Sequence, residues 1–427
     1  MLPPPKLYEF RGELRYTIYI FLLLLLAELL ISYNSYREFI SKPFYFTNAY
    51  VTDSYMKHKK GYSYIVLKLK SDEGLEFFTT TSKKKSFKDS KVRLEIFPTK
   101  SITFYEYMSS FYVKSKIKSI TKEPDDLKSS FVDKIYSEHN ESKISSFFSA
   151  IFLATPLDKE VRKQVSKLGV SHLIALSGLH LGLLWIAIYT VLLYPYKFLQ
   201  QRYFPYRYMR FDLGVVILLS LGYYLYFVDY PPSLLRAYFM LLFSWLALIV
   251  GIELLSFEFI LSVVMFLLIL IPKLLFSIAF WLSVFGVFYI FLILEYNKKS
   301  NYRLLSLVLL PLGVYLLIQP VVHTIFTTTT IYQLLSPILS LLFTPFYIVS
   351  ILLHIIGFGD LFDSAIGYLL HLKMEEIDVK TPIWFLILYI YLSYKAIKYK
   401  RYFYTLVGTA ILYNLINIII LLTKCIF

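Results

Sequence analysis

His172, Ser177 and His180 are the residues of this chain whose types and spacing could do chemistry, and they sit with Gly178 and Gly182 in "SHLIALSGLHLG" (171–182) inside an apolar stretch. Helical spacing would set Ser177 one turn before His180, with His172 two turns before His180 on a nearby face. A serine nucleophile is not written here, because a Gly-x-Ser-x-Gly elbow would need glycine where Ala175 and Leu179 stand. A metal site is not expected either. No carboxylate lies within the stretch, Glu160 is the next acidic residue upstream, and the seven histidines form no H-x-H or H-x-x-x-H pair. The single cysteine, Cys425, rules out an intrachain disulfide and a cysteine-based zinc site. No glycine is followed by lysine, so the chain has no Walker A loop. No cofactor is expected. Two readings stay open: a helix–helix seam built on the small-xxx-small pair Gly178 and Gly182, or a polar face where something hydrophilic crosses.

Arg236, in "DYPPSLLRAYFML", is the second unusual residue, falling one turn into an otherwise apolar helix. It either snorkels to an interface or is buried with a role or a partner. Such residues need a scaffold, and composition names its class. Of 427 residues 57% are hydrophobic and 19% aromatic, which points to a polytopic α-helical membrane protein. The formal charge of +15 implies an anionic neighbour. Phospholipid headgroups at cytoplasmic loops and a polyanion such as nucleic acid both fit.

Residues 1–32 read as a retained first membrane helix, built on the apolar run Thr17–Ile31 and somewhat short. Residues 33–130 carry 19 Lys/Arg against 11 Asp/Glu and no long apolar run. Ile65, Leu67 and Leu69 alternate, as do Val92, Leu94 and Ile96, which predicts a basic β domain of about five strands. Residues 131–170 show amphipathic spacing suited to helices lying along the interface. Residues 171–427 hold successive apolar segments, giving about nine to eleven membrane helices in all. A cytoplasmic N-terminus places three basic clusters inside: Lys197, Arg202, Arg207 and Arg210; Lys298, Lys299 and Arg303; and Lys395, Lys398, Lys400 and Arg401. Pro337 and Pro345, followed by Gly357 and Gly359, break the stretch 331–372, predicting a re-entrant hairpin or a pair of crossings.

"LGVSHLIALSGLHLGLL" (168–184), "PPSLLRAYFML" (231–241) and "SIAFWLSVFGV" (277–287, around Leu282 and Ser283) together resemble ComEC-type competence proteins. The resemblance implies that residues 33–130 are an OB-like extracytoplasmic domain. It also implies a channel in the inner membrane that passes one strand of incoming DNA during natural transformation. On this reading His172, Ser177, Gly178, His180, Gly182, Arg236 and Ser283 belong to the DNA path. Lys57, Lys59, Lys60, Tyr62, Tyr64, Lys83, Lys84 and Lys85, with Phe77 and Phe78, would hold phosphates and stack bases on the β domain. Larger members append a metallo-β-lactamase-like domain. The H-x-H-x-D-H motif of that domain is missing here, so a short form without nuclease is expected. Lacking an ATPase, the chain would depend on a cytoplasmic helicase or translocase and a periplasmic DNA receptor as partners, beside single-stranded DNA and membrane lipid. Assembly with further copies of itself stays open. A membrane-embedded enzyme acting on lipid or polysaccharide, with His172 or His180 as base, is the competing class; a purely structural subunit is the third.

Overall fold

The computed structural model describes residues 7–8, 11–59, 62–82, 90–122, 127–253, 256–297 and 303–426. Lys60, Lys83, Lys84, Lys85, Lys298 and Lys299 therefore lie outside the described residues. The chain forms two compact units. One holds residues 10–133 and 265–278, the other residues 1–9, 134–264 and 279–427.

In the first unit, α1 (Arg11–Ser41) runs nine residues past residue 32, the expected end of the first membrane segment. Its last turns explain the extension: Phe39 is buried in the β domain's core, and the Tyr36 hydroxyl donates to the Ile102 carbonyl at 2.7 Å. The β domain comprises β1 (Tyr45–Lys59), β2 (Tyr62–Ser71), β3 (Glu76–Thr81), β4 (Ser90–Phe97), a short α2 (Phe104–Met108), β5 (Phe111–Tyr112) and β6 (Lys114–Lys122). Period-two burial drives it. Leu67, Leu69, Val92, Leu94 and Ile96 all point into one core with Ala49, Phe77 and Phe111. The sheet order is β5-β3-β2-β1-β4-β6. Only Val113 separates β5 from β6, and its N–H still bonds the Phe78 carbonyl at 2.9 Å. Residues 111–122 thus act as one strand, parallel to β3 at its start and antiparallel to β4 at its end, which closes five strands into a small barrel.

The second unit is helical. α3 (Leu127–Glu138) leads into it, followed by α4 (Ser142–Leu153), α5 (Lys159–Lys167), α6 (Ser171–Ile174), α7 (Gly178–Tyr203), α8 (Met209–Phe227) and α9 (Pro232–Val250). Then come α10 (Phe257–Leu270), whose residues from Met265 onward belong to the first unit, α11 (Ile278–Asn297), α12 (Arg303–Val322), β7 (Thr328–Thr329), α13 (Ser336–Ile356), α14 (Asp363–His371), β8 (Ile377–Asp378), α15 (Ile383–Ala396) and α16 (Lys400–Ile426). Among the described residues, seven helices are long and apolar enough to cross a membrane, and Phe257–Leu270, Val308–Val322 and Ile383–Ala396 are shorter apolar helices. The protein is a multi-pass helical membrane protein with a small β domain.

Two expectations need correction. α4 is not an interfacial helix: residues 144–151 are buried on every side. Its serines make this tolerable through local bonds, Ser145 to the Glu141 carbonyl and Ser149 to the Ser146 carbonyl, while the Ser146 hydroxyl accepts the Asp158 N–H. The amphipathic helix is α5, which buries Val161 and Val165. The prolines do not divide 331–372 into halves either. α13 is one continuous helix, with Pro337 in its first turn, where a missing N–H costs nothing, and Pro345 inside.

Gly214 on α8 shows how closely the helices pack, since a Cβ there would overlap the indole of Trp245 on α9. Gly214→Ala should push α8 from α9 and cost about 1–3 kcal/mol, read as a lower thermal midpoint in detergent. An unchanged midpoint would mean that the indole moves aside freely.

Candidate functional site

The chain through the central motif is not one helix. α6 ends at Ile174, Ala175 is extended, and α7 begins at Gly178. His172 and His180 therefore do not share a helix face, contrary to the spacing argument. The cause is a cap: the Ser177 N–H donates to His180 Nδ1 at 3.1 Å, and the Ser177 hydroxyl stands 3.3 Å from the same nitrogen. Ser177 is the N-cap and His180 the third helical residue, a reciprocal capping box with histidine in the place usually held by glutamate or glutamine.

Because Nδ1 accepts a backbone N–H, the neutral ring carries its proton on Nε2. His180 is fully buried, and that Nε2 has no hydrogen-bond partner among the described residues. The ring is edge-on to Phe343 at 5.2 Å and Tyr347 at 4.7 Å, both on α13. His172 is exposed and lies 3.3 Å from the Ser340 hydroxyl, also on α13. One helix thus reaches both histidines.

The three segments that carry the resemblance converge. Ser233, at the start of α9, donates to the Leu176 carbonyl at 2.5 Å. Gly178 faces Ala237, whose Cβ would stand 3.5 Å from a Cβ added there, whereas nothing lies within 4 Å of one added at Gly182. The small-residue seam is therefore real at Gly178 and absent at Gly182. Arg236, 2% exposed, donates to the Phe280 carbonyl at 3.3 Å and the Ser233 carbonyl at 3.2 Å, with its guanidinium 5.9 Å from the Phe280 ring. Among the described residues no carboxylate pairs with it. The sidechain does not snorkel, because the carbonyls it binds are packed between helices α9 and α11. Ser283, one turn on from Phe280, is half-buried on α11.

On the β domain, the register pairs Lys57 with Tyr64 and Lys59 with Tyr62 across β1 and β2. Lys57 is exposed, its ammonium 5.6 Å from the Tyr55 ring, and Tyr64 is half-buried. Phe77 is not available for stacking: it is fully buried against Phe111 in the core, while Phe78 on the opposite face is half-buried.

Sequence reasoning missed a polar cluster in the second unit. His139, just after α3, bonds Asp363 through Nδ1 at 2.8 Å and meets His354 of α13 at 3.1 Å between the two Nε2 atoms. The two histidines are 215 positions apart, so no motif could have shown them together.

No curated protein and no solved structure matches the chain. A family model described as Competence protein matches residues 154–412, a span that includes all three converging segments. With that match covering more than half of its length, the chain belongs to the competence-protein family.

Proposed function

We propose that this protein conducts single-stranded DNA across the cytoplasmic membrane during natural transformation, with no ATPase or nuclease of its own. The observation that carries the reading is Arg236. A guanidinium held among apolar helices by two carbonyls, with no carboxylate beside it among the described residues, is a fixed positive charge awaiting an anion. A carboxylate partner would cancel that charge, and the two carbonyls that hold the guanidinium leave it uncancelled. Beside it, the motif presents His172 and Gly178 on its exposed edge. The basic β domain, with lysines registered against tyrosines, supports a role in receiving the strand outside the membrane.

The N-terminus lies in the cytoplasm on this reading. Lys197, Arg202, Arg207 and Arg210 flank the α7–α8 turn, and Lys395, Lys398, Lys400 and Arg401 the α15–α16 turn. These fall on one side if α13 and α14 together make no net crossing. Both ends of α13 bind the segments flanking α4 and α5, Ser336 to the Gly169 carbonyl at 3.0 Å and His354 to His139. A continuous helix of this length cannot itself turn back, so α14, after the left-handed Gly357, would have to bring the chain back to the side it left. A helicase or translocase inside and a DNA receptor outside would complete the route.

A catalytic use of His180 is disfavoured, since its Nδ1 is committed to the helix cap and its ring is sealed by α13. The test is cellular. In cells lacking this protein, labelled DNA should accumulate outside the cytoplasmic membrane and transformants should vanish. Normal transformation would overturn the reading.

A further inference from the structure

We propose that His139 and His354 form a binding site for a divalent transition-metal ion of the zinc class, independent of the transport reading. The partners of the two Nδ1 atoms point to the site. His354 Nδ1 lies 2.7 Å from the Ser350 carbonyl, which can only accept, so Nδ1 carries a hydrogen. His139 Nδ1 lies 2.8 Å from the Asp363 carboxylate, and the same reasoning applies. When neither Nε2 carries a hydrogen, the two rings turn bare lone pairs toward each other. The two nitrogens are 3.1 Å apart. A cation between them converts repulsion into ligation.

The surroundings match what a metal-binding histidine needs. Each ring is fixed by a bond from its other nitrogen, one to a carboxylate and one to a backbone carbonyl, the arrangement that orients metal-ligating imidazoles. Two nitrogens at about 2.0–2.1 Å from a tetrahedral zinc stand about 3.3 Å apart, close to the separation seen. His139 is stacked on Phe148 at 4.6 Å, and His354 is packed by Phe148 and Phe152, so neither ring can swing away.

Among the described residues no third His, Cys, Asp or Glu is already gathered for the ion. Glu138 is placed to supply one. Its Oε2 is buried without a hydrogen-bond partner, while its Oε1 lies 3.9 Å from Lys134. A Cβ built on Gly359 would overlap that Oε2 and stand 2.9 Å from His354 Nε2, so glycine leaves the space between carboxylate and ring open. A small rotation of Glu138, or a water, would complete the coordination. The ion would pin the α3–α4 junction to the end of α13, the helix that also covers His180.

The test uses the full-length protein in lipid nanodiscs, free of any histidine tag and stripped with chelator, then titrated with Zn²⁺ alone. About one equivalent should bind. His354→Gln should lose that equivalent, and Asp363→Asn, which leaves both ligands in place, should weaken it about 10–100-fold. Should His354→Gln fail to fold, Asp363→Asn and Glu138→Gln still decide the matter. Equal binding by the unaltered protein and all variants would place zinc on other residues and overturn the proposal. So would no binding at all, in which case the two nitrogens share a proton instead.

Discussion

Arg236→Met should abolish DNA internalisation while leaving the protein close to its original stability. The stability argument is a near cancellation. Methionine removes two charge-assisted bonds to carbonyls, each worth about 1.5–3 kcal/mol. It also removes a desolvated cation with no opposite charge beside it, whose burial costs several kcal/mol. Both carbonyls belong to helices, Phe280 in α11 and Ser233 in α9, whose own ladders still reach them. The thermal midpoint should therefore move little, whereas on the proposed function transformants should fall by at least about tenfold, since among the described residues Arg236 is the buried positive charge of this seam. Arg236→Lys should restore uptake only in part, because one ammonium cannot bond both carbonyls as the planar fork does. Transformant counts at matched protein level and a thermal melt check this. Normal uptake by Arg236→Met would remove the arginine from the path.

The residues also show what a single sequence can and cannot disclose. Alternation in β2 and β4 is a local signal, and Leu67, Leu69, Val92, Leu94 and Ile96 face the core as their spacing requires. Barrel closure is not local: it depends on residues 111–122 serving β3 and β4 in turn across Val113. Arg236 was conspicuous because a guanidinium in an apolar run is costly anywhere, but its carbonyl partner lies 44 positions away. The break between α6 and α7 was written as Ser177-x-x-His180 and concealed by its third residue, since capping boxes are sought with glutamate or glutamine there. Pro345 misled in the opposite direction, because neighbouring helices can carry a proline that would break a solvent-exposed helix. The His139–His354 pair left no trace at all, being made only by folding.

His180→Gln is the substitution that separates the cap from the channel. Glutamine at the third helical position can still accept the Ser177 N–H, so α7 should keep its start and the protein its melting behaviour. What glutamine lacks is the aromatic ring wedged against Phe343 and Tyr347, which holds the Nε2–H at one fixed place where it meets no acceptor among the described residues. An unpaired buried donor costs about 1–3 kcal/mol, and the cap alone does not need it, because Nδ1 suffices for capping. On the proposed function, that N–H is the donor His180 would offer to a phosphate or base oxygen of the strand. The expected result is a folded His180→Gln protein with DNA stalled outside the membrane. His180→Ala should fail differently: loss of the cap costs about 0.5–2 kcal/mol, and the cavity left against α13 adds about 2–5 kcal/mol, so its steady-state level should drop. If His180→Gln transforms as well as the unaltered protein, the histidine serves α7 alone and the path runs elsewhere along the motif, past the exposed His172.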